Sequence, residues 1–111
     1  MTIETTTALL LADSGLHVAG AAGATGEDAA RDRAAMVGGA AAYLALAVAC
    51  AKGSGRAELL ATAVPAMGIA GLLATWGQST VPSTIRAAIV AVDVGLVARG
   101  LAARRSAPSD S

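Results

Sequence analysis

Asp13 and His17 stand four residues apart in an otherwise apolar stretch that runs from Ala8 to Gly20. On a helix that spacing stacks the two side chains on one face. A carboxyl and an imidazole in such contact can exchange a proton. Two more chemically able side chains, Tyr43 and Asp93, sit alone in later apolar stretches. A second carboxyl beside the first makes an acid/base pair in which one member holds a proton while the other accepts one. Tyr43 adds a hydroxyl that can donate to a carboxylate or to a bound oxygen.

The stretches that must position these residues read as helices. The first covers about residues 5–24. The charged run Gly26–Arg33 follows as a loop with helix-start character, since Glu27 and Asp28 suit a helix amino end. Residues 34–51 form a second stretch of 18 residues without a charge. That is near the lower limit for crossing a hydrocarbon core of about 30 Å. Lys52–Arg56 is a Gly-rich turn. A third helix is expected over 58–76, bent by Pro65 two turns in, where proline frees a carbonyl. Gly77–Pro82 has loop composition. A fourth helix is expected over 83–103, followed by a polar 104–111 tail. Gly15, Ala19 and Gly23 recur every four residues and form a small-residue stripe suited to close helix contact. At about 1.5 Å per residue, Asp13, Tyr43 and Asp93 each lie roughly 13–15 Å from a helix end. In an antiparallel up-down bundle they share one depth.

Composition places that bundle in a membrane. The chain has 111 residues, 55% of them hydrophobic, and its mean hydropathy is +0.63. The second stretch has almost no polar face, which a helix of a soluble bundle needs. The expected fold is therefore an all-α, four-helix, integral-membrane domain, with the lipid bilayer as its first partner. Formal net charge is zero and no basic run argues for nucleic acid. Cys50 is alone, and His17 is the single histidine, so neither a disulfide nor a metal site is expected. The amino terminus has Glu4 and Asp13 and no cation before its apolar run, so it does not read as a cleaved secretory signal. The first and third connections would lie on one side with Arg31, Arg33 and Arg86. Lys52, Arg56, Arg104 and Arg105 fall on the other, with both termini. Four cations against three lean both termini to the cytoplasm of a multi-pass inner (plasma) membrane protein.

In length, helix number and an acidic residue in the first helix, here Asp13, the chain is similar in architecture to the small multidrug-resistance transporters. It lacks the glutamate, the first- and third-helix motifs and the aromatic lining of that family. The likeness therefore implies a four-helix membrane architecture and no substrate.

The residues themselves suggest a small membrane-embedded enzyme. It would work without a cofactor on an apolar, lipid-soluble small molecule, by cyclisation, isomerisation or opening of an epoxide-type ring. Asp13 and Asp93 would be the acid/base pair, with His17 and Tyr43 orienting or donating. Arg99, Trp76 and Met67 would line the substrate. A proton-coupled carrier or channel is the second expectation, a homo-oligomer with Asp13 as its coupling carboxylate. A structural subunit of a membrane complex is the third, with buried polar groups that specify register.

Overall fold

The computed structural model describes residues 3–105. It contains four α-helices: α1 (Ile3–Gly23), α2 (Ala29–Ala51), α3 (Gly55–Ala74) and α4 (Ser83–Arg105). A short 3-10 turn, Trp76–Gln78, lies between α3 and α4. The fold is all-α, as expected, with no strand among the described residues. Helix boundaries differ from the sequence-based ones where charge masks a helix. α2 starts at Ala29 rather than near residue 34, so Arg31, Asp32 and Arg33 belong to its first turns. Those turns hold their charges because each finds a partner near the helix end. Arg104 and Arg105 are the last turn of α4, where cations oppose the negative helix end. Residues 106–111 of the expected tail lie outside the described residues.

The α2–α3 turn follows directly from its residues. Lys52 is the C-cap of α2, and Gly53 takes a positive φ of 85°. Gly53 N–H donates to the Cys50 carbonyl and Ser54 N–H to the Ala49 carbonyl, so the turn closes as a Schellman motif. Ser54 then caps α3, its hydroxyl accepting from Ala57 N–H at 3.2 Å. Pro65 is fully buried within α3, and the helix continues through it.

The opposite end of the bundle is tied more heavily. Thr80 donates to Asp32 Oδ2 twice, from its N–H and its hydroxyl, both at 2.7 Å. Arg33 donates to the carbonyls of Ala21 and Ala24, which end α1. Arg86 is buried and donates from Nε to the Val81 carbonyl (2.9 Å) and from Nη1 to the Trp76 carbonyl (2.6 Å). Its guanidinium also stacks 4.2 Å over the Trp76 ring. Arg86 and Asp93 are seven residues apart and share a face of α4, but they do not pair. The seven-residue rise of about 10 Å carries Arg86 to the turn, which offers it bare carbonyls. Replacing Arg86 by Met should cost on the order of 3 kcal/mol, because two charge-assisted hydrogen bonds are lost. Arg86→Lys should recover only part of it, since an ammonium does not match the planar fork or the stack. Thermal unfolding in detergent measures both.

The core divides into two clusters along the bundle. One, around Leu10, Tyr43, Leu46, Cys50 and Leu96, lies towards the α2–α3 turn. The other, around Ala21, Met36, Val81 and Ile89, lies towards the Thr80 end. The inward stripe of α1 is Leu10, Asp13, His17, Gly20 and Ala21, at helical spacing, with Ala24 buried just beyond the helix end. Gly15 and Ala19 of the expected contact stripe point outward instead, and Gly15 has nothing within 4 Å of where a Cβ would stand. Gly23, the third member of that stripe, does make contact, since a Cβ there would come 2.9 Å from Pro82 Cγ, and Gly20 adds a second close approach, 2.9 Å from Met36 Sδ.

Two helices, α2 and α3, are long and apolar enough to cross a membrane, with mean hydropathies of 1.9 and 1.7 over their best windows. The core helix of a soluble protein passes the same test but is mostly buried. Here only 28% and 17% of those windows are covered. Leu44, Val48, Leu59 and Met67 stand exposed on these helices, with Val18 on α1 and Val94 on α4.

Candidate functional site: a sealed carboxyl pair

Where the two core clusters meet, Asp13, His17 and Asp93 gather beside Tyr43 of the first cluster, so the group draws on three helices. Asp13 and Asp93 have no exposed surface, Tyr43 has 3% and His17 has 8%. The depth coincidence expected from helix rise is thus met by a physical contact. Tyr43 donates its hydroxyl to Asp93 Oδ1 at 2.9 Å. The Asp93 side chain faces that of Asp13. Two carboxyls are hydrogen-bonded to each other only when one of them carries a proton.

No N–H or O–H among the described residues satisfies Asp13 Oδ1, Asp13 Oδ2 or Asp93 Oδ2, and all three oxygens are buried. Buried polar atoms without partners are rare and each calls for a reason. The groups acting on Asp93 are Asp13 and Tyr43. Arg86, on the same helix as Asp93, is committed to the Trp76 turn.

His17 closes the cluster on the α1 side. Its Nδ1 lies 2.8 Å from the Asp13 carbonyl and 3.3 Å from Asp13 Oδ1. Its ring lies 5.0 Å from that of Tyr43, tilted by 42°. Ser14, next to Asp13, donates instead to the Ala40 carbonyl at 2.8 Å and so fixes α1 against α2.

Two glycines make room for the cluster. A Cβ at Gly39 would fall into the His17 ring. A Cβ at Gly68 would stand 3.0 Å from Asp93 Oδ2 and 3.2 Å from the Tyr43 hydroxyl. Gly39 carried a signal, being four residues before Tyr43 on the same helix face. Gly68 shares a small-residue face with Gly71 in the sequence, but which residues it meets depends on how α3 is rotated against α4.

The three residues expected to line a substrate do not gather here. Met67 is 73% exposed on α3. Trp76 belongs to the turn held by Arg86. Arg99 is half-buried on α4, beyond Asp93 by about 9 Å of helix rise. A groove of about 440 Å³ opens between α2 and α3 at the Thr80 end, lined by Arg31, Asp32, Met36, Leu72, Thr75 and Gln78. Among the described residues, no group of three or more His, Cys, Asp or Glu side chains could hold a metal ion.

Comparison with known proteins finds no matching family model, no matching curated protein and no matching solved structure.

Proposed function

We propose that this chain is a four-helix, multi-pass membrane protein that conducts protons through the Asp13–Asp93 pair, as a channel or as a carrier that lets protons pass without a co-transported solute. One observation carries the reading. Three buried carboxylate oxygens have no donor, and the two side chains that hold them face each other. Such a pair is costly to keep unless a shared proton, put on and taken off, is what it is for.

Three further facts support it. The pair is assembled within a single chain, so a second copy is not needed to build it, although a second copy remains free to complete a pathway. The long apolar helices α2 and α3 are left largely uncovered, which suits a lipid surround. The sealed surroundings keep other donors from the pair, so a proton that arrives stays there until a defined partner takes it.

The acid/base enzyme remains the second reading, and the groove between α2 and α3 favours it. A lipid-soluble substrate could enter there, but it would have to part α3 from the pair at Gly68 to reach a carboxyl oxygen.

Purified protein in vesicles that enclose a pH-sensitive dye tests the first reading. An imposed pH gradient should drive proton flux well above that of empty vesicles, and Asp13→Asn should abolish it. Wild-type flux no greater than that of empty vesicles would exclude it.

A further inference from the structure

We propose that His17 is the port through which protons reach the Asp13–Asp93 pair, and that they enter from the end of the bundle that carries the 24–28 and 75–82 connections. The inference rests on the proton-moving reading above and adds to it a route and a side.

Exposure singles out His17. Its side chain is 10% exposed while that of Asp13, which it touches, is at 0%. A carbonyl oxygen only accepts hydrogen bonds, so the 2.8 Å contact with the Asp13 carbonyl places the ring hydrogen on Nδ1. In the neutral ring Nε2 is then the bare, basic nitrogen, on the ring edge that rests against Gly39 of α2. The next acceptor within reach of Nδ1 is Asp13 Oδ1 at 3.3 Å. The charged and titratable groups facing the ring are Asp13 on its own helix and Tyr43 on α2, with Asp93 of α4 behind Asp13.

The step balances simply. A proton from water binds Nε2, and the imidazolium passes its Nδ1 hydrogen to Asp13 Oδ1. The ring is left neutral with its hydrogen on Nε2, and exchange through water returns it to Nδ1. One proton has left the medium and one has joined the pair.

The groove gives the side. Asp32, Met36, Gly39 and Tyr43 follow one another at intervals of four, three and four residues, so they form one stripe of α2. Asp32 and Met36 line the groove, and Gly39 is the residue against which the His17 ring rests. The groove therefore opens at the Thr80 end and its inner edge lies about one turn from the ring. His17 is also displaced from Asp13 towards that same end, since α1 runs towards it.

The vesicle assay tests the port with protons and imidazole as the probes. His17→Ala should lower the flux roughly a hundredfold, the scale of a lost acid/base group. Added imidazole should restore a substantial part of it, because it can occupy the space left by the ring. Ala35→Trp, which narrows the groove without touching the cluster, should lower the flux with His17 intact. Wild-type flux retained in His17→Ala overturns the port. So does loss that imidazole fails to restore, which marks a structural role. Absence of flux in the wild type defeats the proton-moving reading itself and is seen before any substitution is made.

Discussion

The double variant Asp13→Asn, Asp93→Asn is expected to melt higher than the parent and to carry no proton flux. Both effects come from the same three oxygens. In the parent, Asp13 Oδ1, Asp13 Oδ2 and Asp93 Oδ2 lie buried without a donor. An unsatisfied buried polar group costs about 1–3 kcal/mol. A carboxamide has nearly the shape of a carboxyl, and it brings two N–H donors of its own. Two facing amides can hydrogen-bond without any proton, and the Tyr43 hydroxyl keeps an oxygen to donate to. The gain should be on the order of 2 kcal/mol, read from thermal unfolding in detergent. Flux should fall to the level of empty vesicles, because an amide neither binds nor releases a proton near neutral pH. Gain of stability with loss of function is the pattern expected where a strained group is kept for its chemistry. A variant that melts lower and still conducts would assign the pair to packing.

Gly68→Leu should have the largest effect on stability, a loss of about 3 kcal/mol or more. Its Cβ alone would stand 3.0 Å from Asp93 Oδ2 and 3.2 Å from the Tyr43 hydroxyl. The remaining side-chain atoms have no room except between α3 and the pair. Overpacking costs about 1–3 kcal/mol, and parting the Tyr43–Asp93 bond adds to it. Gly68→Ala should be close to neutral, because alanine gains about 1 kcal/mol of helix propensity against one tight contact. Gly71→Leu is the control on the same helix. Gly71 is exposed and has nothing within 4 Å of a Cβ, so its variant should melt no lower than the parent. Equal losses at positions 68 and 71 would mean that α3 does not pack over the carboxyls as described.

Much of the architecture was legible because it depends on length and hydropathy. Glycine and proline mark the connections, and helix rise alone sets Asp13, Tyr43 and Asp93 at one depth. What could not be read was rotation about each helix axis. Gly15 and Ala19 form a small-residue stripe on paper, but they share a face with nothing. Leu10, Asp13, His17 and Gly20 set the inward side, so the polar residues and the contact glycine belong to one stripe. The start of α2 was hidden for a different reason. Arg31 to Arg33 look like a loop until their partners are known: Arg31 pairs locally with Asp28 and Asp32, but the partners of Asp32 and Arg33 come from the distant Thr80 and from the end of α1. Arg86 was hidden in the same way, since its acceptors are main-chain carbonyls of a turn. Side chains lined up by depth were thus visible in advance, while those whose partners lie on the backbone of another segment were not.

The shared proton is open to direct observation. Infrared spectra of the protein in lipid at neutral pH should contain the stretch of one protonated carboxyl per chain in dry surroundings, shifted by deuterium exchange. The band should vanish in Asp13→Asn, Asp93→Asn and persist when the exposed Glu4, Glu27 and Asp28 are replaced. A spectrum with every carboxyl ionised, in a protein that remains folded, would contradict the shared proton on which the proposed function depends.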